Sequence, residues 1–206
     1  MIGFKIFLGY FSVALGFIAY GFYFRDIFLK RTKPHAFSWF IWGLITTIAF
    51  YAQIVKGAGA GAWATGTGSL VCFIIGFFAL NGGERRFSCL DWVTLIFALA
   101  AILLWFVTND PLGSVIVLSI TDVIGSTPTF LKSFNKPDEE TAKAFAMHSI
   151  KFFIAIVALQ SYSLATWLFP ATLACVNGVI AIFIISRRNG LSLQANGTSR
   201  LQKPSS

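Results

Sequence analysis

Three ionisable residues fall inside long apolar runs of this 206-residue chain: Asp122, His148 and Lys151. A charge at the centre of a bilayer-spanning helix costs about 2.5 to 3.5 kcal/mol on insertion scales, so such groups mark either ligand and proton handling or a structural ion pair. Asp122 stands about ten residues before the end of its run and Lys151 about ten after the start of the next, so at about 1.5 Å per residue both lie roughly 15 Å deep. Their matched depths predict that the two pair. His148 and Lys151 are three apart and share a helix face, and an imidazole there has the titration range of a proton relay.

Other side chains offer binding rather than reaction. Trp39 and Trp42 are one turn apart, with Thr46 continuing the same face; such a face either stacks on the ring of a ligand or packs helices together. Pro128 and Pro170 lie inside apolar runs, where proline frees a carbonyl and makes a natural hinge. The small-residue run through Gly61, Thr65, Gly66, Thr67, Gly68 and Ser69 lets helices approach closely, and no Gly-Lys-Ser or Gly-Lys-Thr makes it a phosphate loop. No Cys/His cluster, HExxH, paired catalytic carboxylates or nucleophile with a base occurs, so no enzyme, metal or cofactor is expected. Cys72 and Cys175 in apolar runs and Cys89 in a basic turn read as reduced structural thiols.

The elements that must hold these residues are set by composition. Of the residues, 56% are hydrophobic and 12% charged, with 23 Phe and a mean hydropathy of +0.75. A soluble domain carries about a quarter charged residues, so the chain reads as an integral membrane protein. The net charge of +8 does not point to nucleic acid, because the basic residues sit in short turns between apolar runs and act as topology signals.

At roughly 20 apolar residues per crossing, seven spans are predicted: 3–24, 37–55, 62–80, 90–108, 112–131, 142–161 and 165–186. Their short connections predict that consecutive spans are antiparallel neighbours. The first span is too long and too uniformly apolar for a cleaved leader. Of the 16 Lys and Arg, Lys151 is within a span and only Lys5 and Lys56 fall on one side. The other thirteen share the opposite side, which places the amino terminus outside and the carboxyl terminus in the cytoplasm. Trp63 and Trp167 sit at the outer ends of spans 3 and 7, as interface anchors do. Residues 187–206 turn polar and are expected to form a disordered tail, in which the acceptor-like Asn196-Gly197-Thr198 would face the cytoplasm.

A long-period echo runs through the chain. Phe28-Leu29-Lys30 returns as Phe130-Leu131-Lys132, and Lys33-Pro34 returns as Lys136-Pro137. The two basic, proline-marked turns fall at matching points, which suggests a duplicated unit. The expected organisation is an all-α membrane protein of two parallel three-helix repeats, 1–82 and 111–186, with linker helix 83–110 restoring direction between them and the tail 187–206 following.

Two such repeats with proline-bearing basic turns resemble the SWEET and PQ-loop transporter superfamily, one of those built of parallel repeats. In the second repeat Pro128-Thr129 stands where that superfamily has Pro-Gln, followed by Lys132, Lys136-Pro137 and Thr141. In the first, Lys30-Arg31-Thr32-Lys33 and Ser38 match the turn, with Phe22-Tyr23 at the Pro-Gln position. The resemblance implies a carrier of a small polar solute by alternating access, with Pro128 as hinge, proton coupling as an option at Asp122, and Asn177 beside the solute. The site residues expected are Asp122, Lys151, His148, Asn177, Trp39 and Trp42. A non-transporting receptor or assembly partner of the same architecture is the alternative. The setting expected is a bacterial-type plasma membrane, with the lipid bilayer and the solute as partners; a homo-oligomer stays open.

Overall fold

The computed structural model describes residues 2–83 and 88–201, with side chains to 190. Arg85, Arg86 and Lys203, which enter the charge count, lie outside the described residues, as do the side chains of Asn196, Thr198 and Arg200. Eight α-helices run in chain order: α1 Ile2–Phe28, α2 Ala36–Val55, α3 Trp63–Gly82, α4 Cys89–Thr108, α5 Pro111–Gly125, α6 Thr127–Asn135, α7 Ala142–Val157 and α8 Leu164–Leu201. Single 3-10 turns, Gly59–Ala62 and Pro137–Glu139, precede α3 and α7. The described residues contain no strand.

Local chemistry sets the boundaries. The Ser88 hydroxyl accepts from Asp91 N while the Asp91 carboxylate accepts from Ser88 N, a reciprocal capping box that opens α4. Asp110 caps α5, with Pro111 in the first turn where its missing N–H costs nothing. Lys30 (φ 56°) and Asn109 (φ 52°) turn left-handed where α1 and α4 end. Gly59 (φ 59°) does the same before α3, and a Cβ there would run into the Gln160 side chain, so two constraints select glycine.

Among the described residues, six helical segments are long and apolar enough to cross a membrane: α1, α2, the 3-10 turn with α3, α4, α5 with α6, and α8 up to residue 190. The protein is therefore an integral membrane protein. Its exposed surface agrees, carrying large apolar side chains such as Phe7, Phe77, Leu103, Phe106 and Ile182, which water would not tolerate and lipid accepts. The sixth predicted span, 142–161, is corrected. It yields α7, of 16 residues and so about 24 Å long, because the chain leaves the helix after Val157 and Gln160 N donates to Ala58 O instead (2.9 Å).

Helix packing also departs from the expectation that consecutive spans are neighbours. In space α1 packs on α3 and α7, α2 on α3, α4 and α5, and α8 on α5, α6 and α7. Neither α1 with α2 nor α5 with α7 forms a packed pair. In each case the third helix lies between the first two, made possible by small residues at the contacts, such as Gly43 of α2 and Gly178 of α8. Gly43 lies against the Phe73 ring and Gly178 against the Ser149 hydroxyl, at distances where a side chain would collide.

The tail expected from residue 187 is helical to Leu201. Arg187 and Arg188 belong to the fold: the Arg187 guanidinium lies 4.2 Å from the Phe134 ring centre, and Arg188 donates to the carbonyls of Pro137 (2.8 Å) and Glu140 (2.6 Å). These contacts explain the correction, since the turn before α7 presents carbonyls that a longer α8 can reach.

Candidate functional site

A cavity of about 510 Å³ lies between the helices. Its lining begins in the turns before α2 and α7, with Lys33, Pro34, His35 and Glu140, and continues inward to Tyr20, Thr46, Gly68, Cys72 and Asp122. Its mouth is thus at the end of the bundle that carries the basic turns.

The mouth is a set of paired charges. Lys132 Nζ lies 2.8 Å from Glu140 Oε1, and burial raises the Glu140 carboxyl above the usual glutamate value while the Lys132 ammonium pulls it back. Across the opening, Ser38 Oγ donates to Asp91 Oδ1 (3.4 Å) and His35 Nδ1 stands 3.7 Å from the same oxygen. Beside the mouth, Thr141 Oγ1 donates to Asp26 Oδ2 (2.5 Å), tying the end of α1 to the start of α7.

Deeper in, the lining becomes aromatic. Trp39 and Trp42 meet edge to face at 5.3 Å, and Tyr23 leans on Trp39 at 5.0 Å. Tyr20 tilts against the His148 ring at 4.5 Å. Asp122 is buried, with its Oδ2 lacking any hydrogen-bond partner, and so is His148 Nδ1. Asn177 donates through Nδ2 to Leu173 O (2.7 Å), which leaves its Oδ1 as an acceptor. Pro128 lines the same space, two residues beyond the Gly125–Ser126 junction at which α5 gives way to α6.

Of the residues singled out in the sequence, Asp122, His148, Asn177, Trp39, Trp42 and Pro128 all face this one cavity, and Lys151 does not. The expected Asp122–Lys151 pair is absent: each side chain has a buried polar atom without a hydrogen-bond partner. The reason is the packing order, since α8 stands between α5 and α7, and α7 turns Lys151 toward α1. There Nζ lies 4.9 Å from the centre of the Tyr20 ring and 4.5 Å from that of Phe152. Gly16 leaves the room its stem occupies.

Tyr20, Tyr23, Lys132 and Glu140 were not anticipated as part of a site. Tyr20 and Tyr23 repeat on α1 the three-residue aromatic spacing of Trp39 and Trp42, a signal that could have found them. Glu140 could not be read in advance, because its place at the mouth depends on how the turn before α7 folds back.

The opposite end is shut. Ala58, Ala62 and Leu159 are fully buried together, and Lys5 Nζ donates to Leu159 O (2.5 Å). Gln53 Nε2 donates to Thr166 O (2.9 Å), the carbonyl that Pro170, four residues on, leaves without its helical N–H. A Cβ on Gly61 would sit 2.7 Å from Ala155 O. On the surface at this end, Lys56 pairs with Asp110 at 2.9 Å, and the ammonium holds that carboxyl below the usual aspartate value. The chain matches no known protein-family model, no curated protein and no solved structure.

Proposed function

We propose that the protein is a membrane carrier of SWEET and PQ-loop type that moves a small polar solute by alternating access. One observation carries this reading: a cavity with buried, unpartnered polar groups, open at one end of the bundle and packed shut at the other. Such a vestibule suits one limb of an access cycle. The packing supports two triplets, α1 to α3 and α5 to α8, with α3 and α8 each central in its triplet and α4 against α2 and α5 as the linker. On the charge asymmetry of the turns, the mouth faces the cytoplasm, the amino terminus is outside and the cavity is inward-facing.

Transport would proceed by rocking of the two triplets, opening the contacts around Gly61 and Gln53 as the mouth closes. Pro128, at the break between α5 and α6, would absorb the bend. Asp122 would exchange a proton or a positively charged group with the solute. His148 and Asn177 complete the polar set, and Lys151 holds α1 to α7 without touching the solute.

Reconstitution in liposomes tests the reading. With a panel of amines, amino acids, sugars and vitamins inside, at least one labelled solute should exchange across the membrane, and Asp122→Asn should abolish the exchange. A wild-type protein that exchanges no member of the panel defeats the carrier reading.

A further inference from the structure

Two polar atoms of the cavity stand as free acceptors. Asp122 Oδ2 is buried without a partner, and Asn177 has committed its Nδ2 to Leu173 and offers Oδ1. The other two carboxylates of the lining are engaged, Asp91 by Ser88 and Ser38 and Glu140 by Lys132. The lining holds three carboxylates against two lysines, Lys33 and Lys132, an acidic excess in a chain of net charge +8. Lys151 is not among the lining residues, its ammonium standing over the Tyr20 ring.

Aromatic faces stand beside the free carboxylate. Gly125 follows Asp122 by three residues and shares its helix face. A Cβ on Gly125 would meet the Trp42 indole nitrogen at 3.6 Å, so Trp42 reaches α5 one turn from Asp122, and Trp39, Trp42 and Asp122 all line one cavity. An indole face attracts a cation through its quadrupole. A desolvated carboxylate needs a countercharge.

We infer that the cavity takes a small organic cation bearing a flat ring, its ring against Trp39 and Trp42 and its charged nitrogen on Asp122. The inference rests on the carrier reading for transport but not for binding. An anionic solute would bring its charge onto Asp122. The neutral form of the same ring would lose the Asp122 contact and leave that oxygen unpaired.

Titration of the full chain in lipid nanodiscs, followed by tryptophan fluorescence and calorimetry, tests this with benzylammonium, phenyltrimethylammonium, benzyl alcohol, benzoate and glucose. The two cations should bind, and benzyl alcohol should bind about ten-fold more weakly or worse, as loss of one charge contact implies. Asp122→Asn should lower cation affinity by at least about ten-fold, and Trp42→Leu should lower it as well. Asp122→Glu keeps the charge and should retain binding, which separates loss of the site from loss of the fold. Equal binding of benzyl alcohol and benzylammonium overturns the inference, as does preference for benzoate or glucose, or no cation binding at millimolar concentration. Exchange of another solute in liposomes alongside any of those results leaves the carrier standing without a cation site. Cation binding with no exchange of any solute upholds the cation site and defeats the carrier.

Discussion

The two ends of the bundle are held by different chemistry. At the mouth, long side chains carry the contacts: Lys132 with Glu140, Arg188 with backbone carbonyls, Thr141 with Asp26. At the shut end, backbone and small residues make the close contact, Ala58, Gly59, Gly61 and Ala62 pressed against Leu159 and Gln160, and Lys5 and Gln53 add one hydrogen bond each. Side-chain ion pairs can lengthen and reform with little change elsewhere. Backbone packing is all or none, because interiors are close-packed and transmit strain. In the proposed access cycle the shut end would therefore set the barrier, and the mouth would only adjust.

Substitutions should separate the ends by size of effect. Gly61→Val places side-chain carbon against Ala155 O and Leu159 and should cost about 3 kcal/mol, read as a fall in melting temperature in detergent. Gln53→Leu leaves the Thr166 carbonyl without its donor and should cost about 2 kcal/mol. It should also raise the labelling of Cys72, which lines the cavity, by a thiol reagent added from the Lys56 side. No increase in that labelling would mean that Gln53 is not part of the closure.

At the mouth, the effect of Glu140 is one of pH. Its folded value is raised, chiefly by burial, so the stability it lends is full below the ordinary glutamate value of about 4.3 and is lost as pH rises through the folded value. Wild-type melting temperature should therefore fall over that interval, and Glu140→Gln should remove this part of the fall. An unchanged profile would show that Lys132 fully offsets the burial. The smallest effect belongs to Asp110→Asn, which keeps the α5 cap and loses only the exposed Lys56 pair; melting should barely move, and high salt should erase what difference there is.

Membrane character, most helix starts and several polar and aromatic residues of the cavity lining were legible in the sequence. Asp122, His148 and Asn177 stand out because polar groups are costly at such depth, and the spacing of Trp39 and Trp42 aligns them on one face. Depth along the chain was the right clue to cost but the wrong clue to partnership. Asp122 and Lys151 share a depth and still do not meet, because which helices touch is decided by small residues such as Gly43, Gly16 and Gly178. The reach of α8 past residue 187 was hidden for a similar reason, since its partners are the carbonyls of a turn over 40 residues away, Pro137 and Glu140.

The short α7 with its buried lysine bears on how the protein is made. A 16-residue helix carrying Lys151 is a poor substrate for insertion by itself, given the cost of a lysine at the bilayer centre, about 2.5 to 3.5 kcal/mol. Its neighbour α8, with a mean hydropathy of 2.3 over its most apolar stretch, inserts readily and packs along it. Biogenesis should therefore deliver α7 and α8 as a hairpin, and a nascent chain cut after Val157 should leave α7 outside the lipid until α8 is translated.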